Sequence, residues 1–265
     1  MDKIKIGFLQ FNIELFHEKH NLEKINTMLK GCKADVVVLP ELATSGYLFA
    51  NQKEMEPLSV PAKSGRIADF FRNLSARENC ALVVGFLENE NNNFYSSQML
   101  VSPNSKIEVY RKTHLFFNEK GLYKPGDTGF NVFEFRGVKL GLIVCFDWIF
   151  PEAARTLALK GAEIICLSAN LVLPFCQKAM ITRSIENRVF TITANRIGTE
   201  KNQNQELTFT GMSQISNPNG EILAQATKDE EIIKIVEINP TDALNKFVTE
   251  TNHVLNDRRM EYYEI

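Results

Sequence analysis

A thiol, a carboxylate and an ammonium stand at the ends of three strand-like runs of this sequence. Cys145 ends GVKLGLIVC, and a helix pattern opens a few residues on at Pro151. A cysteine between a strand end and a helix N-terminus can feel unsatisfied N–H groups and the positive end of the helix dipole. Both lower the thiol pKa and favour the nucleophilic thiolate. A buried structural cysteine would fit the same place. Glu41 ends ADVVVLPE. A carboxylate where a strand leaves its sheet lies on the rim where α/β folds build sites, and it can serve as a general base there. A solvated loop acid or a helix cap would also satisfy the position. Lys112 follows KIEVYR. In a strand-end pocket a lysine can donate to a developing oxyanion, although most lysines are surface groups. Together the three supply a nucleophile, a proton acceptor and a charge stabiliser. Strand ends on one rim converge in space, so their separation along the chain is no obstacle.

Competing chemistries find less support. A Cys–His pair would need His17, His20, His114 or His253, and none lies in a recognisable setting. His114, two residues past Lys112, reads as a supporting or core histidine. There is no HExxH, no cluster of carboxylates and no Cys/His ligand spacing, so metal-assisted hydrolysis finds no support. Nucleotide loops of the GxGxxG or GxxxxGK[ST] type are missing, and KPGDTGF reads as a turn. A net charge of −2 gives no basic field for nucleic acid or an anionic membrane. The expected partner is a small molecule or another protein.

The elements that must position these residues alternate along the chain. Strand-like runs rich in Val, Ile, Leu and Phe are Ile4–Phe11, Asp35–Leu39, Ala81–Phe86, Gln98–Val101, Ile107–Arg111, Val132–Phe135, Leu140–Cys145, Glu163–Leu167, Thr191–Ala194, Met212–Ser216 and Ile232–Ile238. Helical spacing of apolar residues marks Asn21–Lys30, Ser64–Asn79, Pro151–Lys160 and Pro174–Asn187. Gly31 and Gly161 suit helix C-termini. Helices followed by apolar strands predict an α/β protein. No linker or shift of composition divides residues 1–265, so a single domain is expected. The chain is 44% hydrophobic, enough for a sizeable core. Runs such as Val36–Leu39 and Leu140–Phe146 are too short to span a bilayer. The opening MDKIKIGFLQ enters a strand pattern directly, and the five scattered cysteines form no CxxC. A cytoplasmic, reducing location is therefore expected.

A faint repeat runs through the sequence. KIGFLQFN is similar to KLGLIVCFD, MLKGCKADVVVLPE to ALKGAEIICLSAN, and SARENCALVVG to RSIENRVFTIT. FYSSQMLVSPNSKI aligns without a gap on FTGMSQISNPNGEI, Phe94 with Phe209 and Pro103 with Pro218. The order is kept, which predicts two similar α/β halves packed sheet to sheet.

LPELATSGY around Glu41, YRKTHL around Lys112 and CFDWIFPEAAR around Cys145 resemble the three signatures of the nitrilase superfamily of carbon–nitrogen hydrolases, in order and spacing. The resemblance runs from Ile4 to about Tyr262, and DRRMEYY is similar to the family's C-terminal pattern. It implies a four-layer αββα sandwich of two mixed sheets with a pseudo-two-fold repeat. It implies a Glu41–Lys112–Cys145 site without metal or organic cofactor, joined by a second glutamate at Glu119, and a homodimer paired through helical faces. The activity implied is hydrolysis of a small amide or N-carbamoyl compound, with nitrile hydrolysis or a non-catalytic scaffold as alternatives. Pocket-wall candidates are Tyr47, Phe117, Phe146, Asn170, Leu171 and Phe175. Many family members carry Trp where this chain has Leu171, which leaves the acyl specificity open. Asp147 and Glu152 are read as structural charges near a helix N-terminus, pairing with Arg155.

Overall fold

The computed structural model describes residues 3–264. In chain order the first half contains β1 (Ile4–Gln10), α1 (Glu18–Leu29), β2 (Val36–Val38), the single-turn α2 (Gln52–Met55), α3 (Gly65–Glu78), β3 (Ala81–Glu90), β4 (Asn93–Val101) and β5 (Ile107–Arg111). The single-turn α4 (Glu119–Leu122) leads to the second half. There β6 (Val132–Phe135), β7 (Val138–Val144), α5 (Pro151–Leu159), β8 (Ile164–Ser168), α6 (Cys176–Asn187) and β9 (Phe190–Ala194) come first. The hairpin β10 (Thr199–Asn202) and β11 (Gln205–Thr208) follows, then β12 (Gln214–Ser216), β13 (Ile222–Gln225) and β14 (Ile232–Ile238).

Two six-stranded mixed sheets result, ordered β14-β1-β2-β3-β4-β5 and β6-β7-β8-β9-β12-β13. Read in that direction, both show the same succession of pairings: antiparallel, parallel, parallel, antiparallel, antiparallel. The sequence repeat is thus a repeat of topology. The gapless alignment of Phe94 onto Phe209 carries β4 onto the segment ending in β12, and β5 onto β13. An edge strand from the far C-terminal part, β14, completes the first sheet.

Side-chain alternation explains the layering. Ile6, Phe8, Val36, Val38, Ala81 and Val83 turn inward to a core shared with Leu142, Val144, Ile165 and Leu167 of the second sheet. Leu9, Val37, Leu39, Leu82 and Val84 face the other way, onto Ile25 and Leu29 of α1 and Ile67, Phe71 and Leu74 of α3. Helices α5 and α6 cover the second sheet through Ala154, Leu157 and Met180. The order of layers is α-β-β-α. Gly31 and Gly161 take positive φ of 72° and 87°, as helix C-termini require.

The topology sets the site's place. Strands β1, β2 and β3 run parallel, and two antiparallel steps return β5 to the same direction. The exits of β2 and β5 therefore share a rim. The sheets are tied face to face there: Ser168 Oγ donates to the Leu39 carbonyl at 2.6 Å and accepts from Gln98 Nε2 at 2.7 Å.

Candidate active site

Lys112 leaves β5 into the interior, and its side chain is wholly buried. Its ammonium donates to Glu41 Oε1 at 2.8 Å and to Glu119 Oε1 at 2.7 Å. One cation thus bridges two acids that stand 78 residues apart in the sequence (41 to 119). Ser96 Oγ, from β4, also donates to Glu41 Oε1 at 2.8 Å. The other oxygen, Glu41 Oε2, is buried and has no protein partner. Tyr47 Oη donates to Glu119 Oε1 at 2.8 Å, and the Phe116 amide donates to Glu119 Oε2 at 2.9 Å.

Two glycines permit this closeness. A Cβ on Gly85 of β3 would lie 2.4 Å from Glu41 Cα, so only glycine lets the Glu41 segment cross the strand. A Cβ on Gly126 would lie 2.1 Å from the Arg111 carbonyl oxygen, and the Gly126 amide donates to the Lys112 carbonyl at 2.8 Å. The KPGDTGF turn clamps the strand that delivers the lysine.

Cys145 sits at the junction of β7 and a 3₁₀ turn, Cys145–Ile149, with φ of 43°. A positive φ is costly for a side-chain-bearing residue and persists only where its surroundings impose it. Asp147 does so here. Its carboxylate accepts from the Val144 amide at 2.9 Å, from Tyr110 Oη at 2.7 Å and from the His114 amide at 3.1 Å, and meets His114 Nδ1 at 2.7 Å. The His114 ring stacks on Phe150 at 3.7 Å. His114 is a supporting residue, in line with its sequence reading. Asp147 is structural too: as the third residue of the 3₁₀ turn that holds Cys145, it accepts from the Val144 amide and so serves that helical N-terminus. Glu152 does not pair with Arg155. Arg155 donates to the carbonyls of Glu186 and Val254, because its helix turns it toward the chain's C-terminal segment.

The electrostatics correct one expectation. Burial raises the Cys145 thiol well above its ordinary pKa, the charge of Glu41 adds to this, and Lys112 only partly opposes it. The helix dipole does not reach far enough to win, since α5 opens six residues later at Pro151. The resting group is the thiol, and it needs a base. Burial raises Glu119 above the usual carboxylate range, while Lys112 pulls it back. Burial disfavours the Lys112 ammonium, yet Glu119 and Glu41 hold its pKa well above the ordinary value.

Beside the thiol opens a cavity of about 190 Å³. Phe146, Asn170, Leu171 and Phe175 line it, as the sequence predicts. Phe117 does not. It is 69% exposed at a positive φ of 47°, and its neighbour Phe116 takes the wall instead. Tyr47 lies beside the acids, not on the wall. Sequence reasoning missed Trp148, Val172 and Leu173 of the wall, and also Ser96, Arg196 and Glu200. The last two form a buried ion pair whose carboxylate accepts from the Tyr47 and Leu48 amides at 3.0 and 2.9 Å. Arg196 also lies 4.0 Å over the Phe209 ring, which packs edge-on against Tyr47. Trp148, three residues past Cys145, carried a usable signal; the others depend on distant partners.

This fold and site define a class, the hydrolases of the nitrilase superfamily. A family profile for carbon–nitrogen hydrolases matches residues 5–243, so the chain belongs to that family, and the protein is a carbon–nitrogen hydrolase. It is similar to a nitrilase of Pyrococcus abyssi, 38% identical over 98% of this chain and 99% of the relative. A 2-oxoglutaramate amidase of Bacillus subtilis is 31% identical over 98% of this chain and all of its own length. Among solved structures, a carbon–nitrogen hydrolase of Helicobacter pylori superposes with a TM-score of 0.83 at 27% identity, covering 99% of this chain and 97% of that one.

Proposed function

We infer that residues 1–265 form one hydrolase domain that cleaves small amides or N-carbamoyl compounds through a thioester on Cys145. The observation that carries this reading is the buried Lys112 ammonium bridging Glu41 and Glu119 beside the thiol, with Glu41 Oε2 left without a partner. That oxygen is the proton acceptor. As Cys145 Sγ bonds to the carbonyl carbon, its proton passes to Glu41. The oxyanion is met by Lys112 and by the Phe146 amide, each such donor contributing about 3 kcal/mol. The C–N bond then breaks and the nitrogen departs as ammonia or amine with the proton from Glu41. Water adds to the thioester, giving a proton back to Glu41, and the S–C bond breaks to release the acid and restore the thiol. Glu119 holds Lys112 in place and shares its charge.

Nitrile hydrolysis is the second reading, favoured by the nitrilase of P. abyssi among the relatives. It would use the same residues. Ammonia release from a panel of amides, carbamoyl compounds and nitriles separates the two, and a profile restricted to nitriles would overturn the first. In either case Cys145→Ala should abolish turnover and thioester trapping in mass spectrometry while preserving the fold. Retained turnover would remove Cys145 as the nucleophile. No helix among the described residues is long and apolar enough to cross a membrane. We place the enzyme in the cytoplasm. We also propose a homodimer through the outer helical faces, where Leu159 and Ile185 are exposed. A monomer by light scattering would exclude that pairing.

A further inference from the structure

The wall of the cavity beside Cys145 is built from three segments. Phe146 and Trp148 come from the turn that carries the thiol, and Leu171, Val172, Leu173 and Phe175 come from the connection between β8 and α6. Phe116 and Ile149 close the remaining side. Among the described residues no charged side chain lines it. Lys112, Glu41 and Glu119 lie deeper and are committed to one another. Arg183 lies behind the wall, where its guanidinium donates to the Trp148 and Ile149 carbonyls and pairs with Glu186. The polar groups that side chains bring to the wall are the thiol, the Asn170 amide and the Trp148 indole N–H. Both ends of the Asn170 amide are buried without a protein partner, and its backbone carbonyl lies 3.8 Å from Cys145 Sγ.

We propose that this wall selects a neutral, apolar acyl group, so that the substrate is the amide of an uncharged aliphatic or aromatic acid. The proposal rests on the amidase reading of the site and names its substrate class. Polar recognition is confined to the reacting end, where the Asn170 amide can donate to and accept from a carboxamide. Beyond it the lining is almost wholly apolar, the Trp148 indole N–H apart. A carboxylate or ammonium on the far end of the acyl group would lose its hydration there and find no partner ion. Each buried methylene, by contrast, favours binding about fourfold. The cavity also sets how large a group it can enclose. An apolar cavity of about 150 Å³ admits benzene, so about 190 Å³ accommodates a phenyl ring or a chain of similar bulk.

The test compares acetamide, butanamide and hexanamide with adipamate and 6-aminohexanamide, which match hexanamide in chain length but carry a terminal charge. For the intact enzyme, kcat/KM from ammonia release should rise with chain length by about fourfold per methylene. Hexanamide should exceed both charged amides about a hundredfold or more. Charged amides turned over as well as hexanamide would overturn the proposal while leaving the amidase reading standing. Calorimetric binding to the Cys145→Ala variant separates the opposite case. A preference for hexanamide over adipamate there, with no amide turned over by the native enzyme, would keep the pocket assignment and remove the amidase reading. Equal binding of both would remove the assignment. Leu173→Arg places a cation on the exposed rim, and adipamate turnover should then rise at least tenfold relative to hexanamide. No change in that ratio counts against this wall as the acyl site.

Discussion

Replacing Lys112 by methionine removes the only cation held between Glu41 and Glu119 while roughly keeping the volume. The hydrogen bonds of 2.8 and 2.7 Å are lost, and two carboxylates are left buried. Breaking a buried pair in this way costs about 3–5 kcal/mol. The protein has one escape, which is to bind a proton. Protonating a carboxyl of ordinary pKa 4.5 at pH 7 costs about 3.4 kcal/mol, at about 1.36 kcal/mol per unit. At pH 5 the same step costs about 0.7 kcal/mol. One lost ammonium calls for one proton, so the folded variant binds one proton more than the native fold across this window. Its stability relative to native must fall as pH rises, by about 2.7 kcal/mol between pH 5 and pH 7. Urea unfolding of both proteins at the two pH values measures this directly. A stability loss equal at pH 5 and pH 7 would refute the claim that these carboxylates are desolvated and held by the lysine. Turnover should fall at least a hundredfold in parallel.

Tyr47→Phe deletes one donor to Glu119 Oε1; since a hydrogen bond to a charged group contributes about 1.5–3 kcal/mol to stability, the urea midpoint should fall measurably, and turnover should drop about tenfold. Glu200→Gln leaves Arg196 buried without its carboxylate. It should destabilise by about 3–5 kcal/mol in urea, and an Arg196→Met, Glu200→Leu double variant should recover part of that loss. Its turnover should stay low if the pair's second task is to hold the Tyr47 amide. Among the thiols, half-buried Cys32 is brought down to about 7, chiefly by the neighbouring Cys80 thiol. Peptide mapping after brief treatment with iodoacetate at pH 7.5 should therefore find Cys32 labelled well before Cys145, and the reverse order would contradict the thiol state assigned to the nucleophile.

What could be read from the sequence follows from which forces are local. The strands β5, β6 and β14 have the limits their apolar runs predict, because burial on a sheet face is written in alternation. Strand β3 extends to Glu90, past its predicted end at Phe86, and its last residues are polar. They are strand because Asn91 and Asn92, with φ of 52° and 61°, form the turn that twisted hairpins prefer. The hairpin β10–β11, TEKN and QELT, is mostly exposed and carries no apolar signal. Phe117 is misplaced by the sequence since its outward turn depends on one backbone angle. Arg196 and Glu200 were invisible for another reason. Their partners at Tyr47, Leu48 and Ile13 lie more than 140 residues away, and no local pattern encodes such a meeting. The strand-end places of Glu41, Lys112 and Cys145 were legible in the apolar runs before them, whereas Ser96 and Gly85 gain meaning only once β3 and β4 pair beside Glu41.

The raised pKa of Cys145 does not oppose its use as a nucleophile. Burial penalises the creation of charge, and ionising the thiol into water would add a charge to a closed site that already holds two acids and one ammonium. Passing the proton to Glu41 adds none. The charge moves from one desolvated oxygen to one desolvated sulfur, so the burial penalty largely cancels between donor and acceptor. What remains is the pull of Lys112, which faces both groups, and the new bond to carbon. The same cancellation explains how a site can work with Lys112, itself paired with two acids, as its cation. It also implies that the reaction should slow when bulk water enters, because water stabilises the compact Glu41 carboxylate more than the diffuse charge on sulfur or in the transition state. The apolar cavity wall therefore has a part in the chemistry as well as in selection: an acyl group that fills it excludes the water that would strand the proton on sulfur.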